Sequence, residues 1–274
     1  MDLILEAPTP MLLQNIISFQ IMSQAWAKKN NTLQTQDYKA KEENYASRNA
    51  NGTGPYKLIS WQPDQAVKLV ANPDWWDKPD GNVTELSYLP IKSAPTRVAA
   101  LLSGDVDLVT DLPPADFLRL KDDGKVKVVE GPETRTIFFV MDQGSDEIKD
   151  SSVKGRNPFK DKRVREALNL ALDREAIRRA IMRGLSVPAA LMVPPGVNGY
   201  DAALDQPLKP DLEKARKLLA DAGYAQGLEL PLHCPNNRYV NDEQICQAAA
   251  SMWAKVGVKI RLISTPFQVH SQTF

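Results

Sequence analysis

The stretch LELPLHCPNNRYVNDEQICQAAASMWAKVGVKIRLI, residues 228–263, sets the fold class. Residues 228–233 read as a strand, a loop follows, 242–255 carries helical spacing closed by Gly257, and 258–263 reads as a second strand. A strand, a helix and a strand in so few residues form a crossover unit, which predicts a parallel pair joined with right-handed sense. The chain is therefore expected to be α/β. Cys234 and Cys246, the only two cysteines, stand too far apart for a Cys-x-x-Cys redox pair and have no companions at zinc spacing. They read as free buried thiols. His233 beside Cys234 on a strand points to the opposite face.

Upstream of this unit the pattern is helical. Val164, Ala167, Leu168, Ala171 and Leu172 recur at spacings of three and four, Asp173 caps a second helix running to Gly184, and Asp211 caps a third that ends at Ala222-Gly223. The segment 187–210 between them is a proline-rich loop. The chain before it is strand-rich. The run 134–141, with Ile137, Phe138, Phe139 and Val140 in series, reads as a strand buried on both faces, and shorter strands are expected at 106–109 and 126–129. Helices are expected after Ser93 and after Pro113-Pro114, stopped by Gly104 and Gly124. Apolar runs on either side of Gln62-Pro63-Asp64-Gln65 predict a hairpin, with a third strand at 86–91. Near the start, Leu3 and Leu5 alternate in strand fashion, a helix is expected over 16–29 with Ile17, Ile21 and Trp26 on one face, and 30–51 reads as loop.

The 274 residues amount to about two domains' worth of chain. Thirty-four basic residues balance 34 acidic ones, so the global excess of Lys and Arg typical of a nucleic-acid binder is absent. Charge is uneven locally. Residues 101–150 hold 12 acidic and 6 basic side chains, and 151–185 hold 10 basic and 4 acidic ones, which marks a composition break near 143–157. The basic run 160–183 is interspersed with Asp161, Glu166, Asp173 and Glu175 opposite an apolar stripe, and reads as a solvated helix face. No apolar stretch approaches the ~20 residues of a membrane span, and no leader sequence is visible at the start.

Catalytic patterns are missing. His233 and His270 are the only histidines and have no ligand-spaced companions, no Gly-x-Ser-x-Gly elbow occurs, and the Gly52-Thr53-Gly54 cluster runs into Pro55 and a strand rather than a helix N-terminus. Trp75-Trp76 reads as packing at a core edge. Asp105/Asp107 and Asp122/Asp123 read as turn and strand-edge charges.

Six segments in order carry a family resemblance: NGTGPYKLISW (51–61), KLVANPDWW (68–76), TRVAALLSGDVDLVTDLPP (96–114), RTIFFVMD (135–142), FKDKRVREALNLALDREAI (159–177) and ARKLLADAGY (215–224). Together they resemble the extracytoplasmic solute-binding proteins of peptide-type ABC importers, the dipeptide, oligopeptide and nickel family 5, although most members carry Asn where this chain has Asp142. The resemblance implies a periplasmic-binding-protein-like, two-lobed clamshell of type II with the extra subdomain of the peptide-binding cluster. Family members are longer, so it also implies an internal fragment truncated at both ends, with residues 1–142 part of lobe I and 143–274 part of lobe II.

The implied activity is capture of a peptide or similar small solute between the lobes and delivery to the permease subunits of an ABC importer. The implied compartment is the periplasm, the signal sequence lying outside the fragment. No catalysis, metal, cofactor or nucleic acid enters that scheme. By correspondence with cleft-lining segments, Thr110, Asp111, Leu112, Phe138, Phe139 and Asp142 are the expected ligand contacts, with Phe138 and Phe139 equally readable as core. The alternatives are binders of nickel complexes, opines or oligosaccharides on the same scaffold, or a hydrolase using Asp105 and Asp107.

Overall fold

A computed structural model describes residues 4–272 apart from Tyr38, Ala40, Lys41 and Pro132. The alternation expected at Leu3 and Leu5 therefore begins outside the described residues. The chain divides into two compact units, Met1–Ile91 and Lys92–Phe274. The first unit ends well before residue 142, the end expected for the first lobe, a lobe being a division of the whole protein.

The first unit opens with two short helices, α1 (Leu12–Ile16) and α2 (Gln24–Lys29), the second capped by Ser23, whose Oγ accepts the Trp26 N–H at 3.3 Å. Of the single helix expected over 16–29, only the end, 24–29, forms, and α1 lies almost wholly before it. Ile17 and Ile21, meant for its buried face, are 82% and 92% exposed. Short helices gain too few hydrogen bonds to offset nucleation unless an apolar face is packed; only α2 has such packing, with Ala27 buried and Trp26 against Tyr45 at 5.8 Å.

The expected hairpin is present as β1 (Tyr56–Gln62) and β2 (Ala66–Ala71), joined antiparallel from Tyr56↔Ala71 to Gln62↔Ala66. Asp64 turns the corner at φ 56°. β3 (Glu85–Tyr88) adds to β2 antiparallel, shorter than the run 86–91 suggested. Asn72 ties two of the quoted motifs together: its N–H donates to the Pro55 carbonyl at 2.7 Å and its Nδ2 to the Gly54 carbonyl at 3.0 Å, and its own carbonyl accepts the Trp75 N–H at 3.2 Å.

The second unit begins with α3 (Ala94–Ser103), capped by Ser93 and stopped by Gly104 at φ 83°, and α4 (Pro114–Asp123), which buries Phe117 and Leu120 and ends at Gly124. The strands expected at 106–109, 126–129 and 134–141 do not form. A strand needs a neighbour to take its backbone hydrogen bonds, and among the described residues none pairs with these runs. Their apolar side chains divide instead: Phe139 and Met141 pack against the core, while Leu108, Val129 and Val140 are 80%, 78% and 73% exposed. The expected burial of 134–141 on both faces is corrected accordingly.

From residue 161 the sequence pattern and the structure agree. α5 (Lys162–Leu170), α6 (Arg174–Ala180) and α7 (Leu212–Asp221) are capped by Asp161, Asp173 and Asp211, each accepting a first-turn backbone N–H at 2.8 Å. In the loop between α6 and α7, the Asp205 carboxylate gathers the Ala190 and Leu191 N–H groups and the Tyr200 hydroxyl. β4 (Leu228–Pro235), α8 (Asp242–Ala254) and β5 (Val258–Thr265) form the crossover, and the two strands pair in parallel from Leu228↔Val258 to Pro235↔Thr265. The last helix, α9 (Phe267–His270), is a single turn.

Gly227 enters β4 at φ 100°, and a Cβ there would meet the Gly257 carbonyl oxygen at 3.1 Å, so this close approach requires glycine. The core is built from Val164, Ala167 and Leu168 of α5, Ala215 and Leu219 of α7, Leu228 and Leu230 of β4, Ala249 and Trp253 of α8 and Val258 of β5. Trp253 knots it: its indole N–H donates to the Leu168 carbonyl at 2.9 Å, and the Phe139 ring meets it edge-on at 5.1 Å. A buried indole is stable only with its N–H satisfied, so this bond fixes α8 against α5.

Candidate functional site

The first expected contact segment leaves α3 and enters α4. Arg97 on α3 donates to the Asp111 carbonyl at 3.1 Å and to the Lys92 carbonyl at 3.3 Å, which ties the 110–112 turn to the chain entering α3. Asp111 takes φ 53°, a left-handed conformation that a short polar side chain tolerates. Thr110 and Asp111 are exposed and Leu112 is half-buried. The segment presents polar side chains on a backbone held by a guanidinium.

The second expected segment splits by function. Phe138 points outward, half exposed, whereas Phe139 packs on Trp253 as part of the core. Asp142 starts a tight turn: its Oδ1 accepts the Gly144 N–H at 2.8 Å and the Ser145 N–H at 3.1 Å. Hydrogen bonding from Ser145, and then from the two backbone groups, holds this exposed carboxyl below its ordinary pKa. Buried Asn157 locks the turn from beneath by donating to the Asp142 and Ser145 carbonyls, both at 2.9 Å. The two segments are thus held by different partners, Arg97 for 110–112 and Asn157 with Trp253 for 138–142.

A third group of residues escaped the sequence reading. The loop 235–241 leaves the carboxyl end of β4, the side on which open α/β sheets receive ligands. Arg238 lies over the Tyr239 ring at 5.2 Å and the Phe267 ring at 5.2 Å, and Arg135 approaches Tyr239 at 5.8 Å while pairing with Glu133 at 2.9 Å. Asp242, 6% exposed, is the loop's anchor. Its Oδ2 accepts the Arg238 and Tyr239 N–H groups at 2.9 and 3.1 Å, and its Oδ1 accepts the Glu243 N–H at 2.9 Å. Asn237 accepts the Phe267 N–H at 2.8 Å, and Asn241, at φ 55°, donates to the Ile181 carbonyl at 2.9 Å. His270 beside this loop is held below its ordinary pKa by burial first, with His233 adding repulsion and Asp242 opposing it. The signal that could have found the loop was its place at the end of the crossover's first strand.

The same loop corrects the reading of the cysteines. Cys234 and Cys246 are joined in a disulfide with Cα atoms 6.6 Å apart. One sits at the end of β4 facing inward and the other on the second turn of α8 facing the sheet, so the packing of helix on strand brings together thiols that twelve residues of sequence separate. The expectation of free thiols is overturned. His233, as expected, takes the opposite, exposed face from Cys234.

In the first unit a cavity of about 310 Å³ is lined by Tyr56, Asn72, Trp75, Val83 and Thr84 among others. Trp75 is partly covered there, and Trp76, edge-on to it at 5.9 Å, stands 77% exposed. Among the described residues no three His, Cys, Asp or Glu side chains are grouped to hold a metal, and no helix is long and apolar enough to cross a membrane. Asp105, named for the hydrolase alternative, accepts the Ser103 hydroxyl at 2.7 Å.

Residues 2–274 match the bacterial extracellular solute-binding proteins, family 5 middle, and the chain belongs to that family. Its members bind solutes and are not enzymes. Heme-binding protein A of Haemophilus influenzae is 32% identical over 214 residues, covering 76% of this chain and 36% of the relative. The periplasmic oligopeptide-binding protein OppA of Escherichia coli is 29% identical over 228 residues, covering 80% and 40%. Among solved structures, the binding protein AgaA from A. tumefaciens R10 in complex with agropinic acid superposes with a TM-score of 0.66 at 26% identity, covering 92% of this chain and 46% of that one. The chain thus spans about four-tenths of the length of these curated relatives.

Proposed function

We propose that the whole protein captures a peptide or similar small solute between two lobes outside the cytoplasm and hands it to the permease of an ABC importer. The observation that carries this reading is the family match along the entire chain, with an oligopeptide-binding protein among the relatives. In this reading residues 1–142 belong to lobe I and 143–274 to lobe II of a type II clamshell. Closure requires only that ligand bind the shut form more tightly than the open one. The disulfide supports an oxidising compartment, since such bonds persist there and are rare in the cytosol.

Thr110 and Asp111 are assigned polar ligand contacts, Phe138 a pocket wall, and Asp142 with Leu112 the shaping of the turns around them. Phe139 acts indirectly, by seating the 138–142 segment on Trp253. Calorimetric titration of the full-length protein with tri-alanine tests this. Thr110→Ala and Asp111→Ala are expected to weaken binding about tenfold each, consistent with loss of one hydrogen bond to a charged or polar group. Unchanged affinity in both variants would remove the assignment. A second reading, an opine-class ligand, is favoured by the likeness to AgaA, and agropinic acid displacing bound tri-alanine would select it.

A further inference from the structure

The two cysteines are the chain's entire thiol inventory, and both are spent on one bond placed at the base of the 235–241 loop. Cys234 is 1% exposed and Cys246 7%, so neither thiol is open to solvent or to a metal once β4 and α8 have docked. The bond closes a ring that contains every residue of the loop. Within that ring lie the exposed Arg238, the Tyr239 ring it stacks upon, the anchor Asp242, and Asn241 in a left-handed conformation. The remaining ties are hydrogen bonds: Asp242 accepts the Arg238 and Tyr239 N–H groups, Asn237 accepts the Phe267 N–H, Asn241 donates to the Ile181 carbonyl, and the Asn236 N–H donates to the Thr265 carbonyl. Such bonds open locally at small cost unless the chain on either side is fixed.

We propose that the Cys234–Cys246 pair is a redox latch on the 235–241 loop. Oxidised, it holds Asp242 under the loop and presents the Arg238–Tyr239–Phe267 stack as a rigid platform at the carboxyl end of β4. Reduced, it releases the ring, the Asp242 clasp opens, and the platform is lost while the α5, α7 and β4–β5 core remains folded. Closing the latch forms one S–S bond. The two thiols lose two protons and two electrons to a disulfide-bearing oxidant, which leaves as its dithiol, and a small-molecule dithiol reverses the exchange. Because both sulfurs are buried in the folded unit, a thiol-oxidising reaction must act before or during the docking of α8 on β4. This places oxidation upstream of ligand capture.

Limited proteolysis of the full-length protein with trypsin tests the latch without any ligand, so its outcome is separate from that of the transport reading. Cleavage after Arg238 is expected to be at least about tenfold faster in the Cys234→Ala/Cys246→Ala variant than in the oxidised protein, with cleavage after Lys217 in α7 changing far less. Because both sulfurs are buried in the folded unit, wild-type protein is reduced with dithiothreitol in denaturant and then refolded; it is expected to show the fast pattern, and refolding with oxidised glutathione to restore the slow one. Equal rates at Arg238 in oxidised and reduced protein would overturn the proposal. So would a rise at Lys217 as large as that at Arg238, because the bond would then act only through the stability of the whole unit and not on the loop.

Discussion

The crossover region 161–265 and the segment 104–141 carry apolar residues of similar density, but the first builds the core while the second buries only α4 residues such as Phe117 and Leu120 and lends Phe139 and Met141 to it. In the crossover region each apolar run meets a partner: β4 has β5 alongside and α8 above, and α5 packs on α7. In 104–141 the runs around Leu108, Val129 and Val140 have no strand beside them among the described residues, and these three side chains stay exposed. Hydrophobic sequence supplies the incentive to form structure. The hydrogen-bonding neighbour decides whether a strand results.

That contrast is sharpest at Trp253. Trp253→Ala is expected to destabilise the second unit by about 3–5 kcal/mol, through loss of buried area and of the Leu168 hydrogen bond, as read by chemical denaturation followed by circular dichroism. A loss under about 1 kcal/mol would show that the core does not depend on this knot. Removing the disulfide comes next. Its ring of twelve-residue separation predicts a loss of about 3 kcal/mol in Cys234→Ala/Cys246→Ala, from the greater freedom of the unfolded chain.

Caps rank third. Asp211→Ala should cost about 1 kcal/mol, the worth of one satisfied first-turn N–H. Asp161 adds a pH signature: hydrogen bonding from Arg163 first, and attraction from Arg163 and Arg165, holds its carboxyl below the ordinary value. A depressed carboxyl contributes stability that is complete above its unfolded-state pKa and disappears as pH falls through the folded one. The melting-temperature gap between wild type and Asp161→Asn should therefore be constant near neutrality and close in acid, below the ordinary carboxylate range. A gap that persists at the lowest pH would show that the charge is irrelevant to the cap. Smallest of all, Leu108→Ala and Val140→Ala should change stability by less than about 0.5 kcal/mol, since both are already exposed. A larger loss at either position would reveal packing of the 104–141 segment that the described residues do not show.

Legibility in the sequence follows the same division. Helix ends were readable because their signals are local: Ser93, Asp173 and Asp211 accept N–H groups only three residues away. The hairpin was readable because its partner strand is adjacent in sequence, and the parallel pair because one helix separates its strands. The strands at 106–109, 126–129 and 134–141 were misread because their pairing depends on chain that apolar pattern does not specify. At the candidate site, the exposed Thr110 and Asp111 and the turn at Asp142 sit in recognisable segments, but the roles of Phe138 and Phe139 were undecided until Trp253 was seen to claim the second. The disulfide and the Arg238 loop were missed for one reason. Both arise from α8 lying on β4, a tertiary contact that no spacing rule encodes.

The chain has five tryptophans, and four of them, Trp26, Trp61, Trp75 and Trp76, lie in the first unit. Trp253 is alone in the second and only 3% exposed. The indole that holds α8 to α5 is therefore also a natural optical probe, shielded from water and shifted toward shorter emission wavelengths while its surroundings are intact. Replacing the other four by phenylalanine would leave a chain whose fluorescence reports the melting and refolding of the second unit alone.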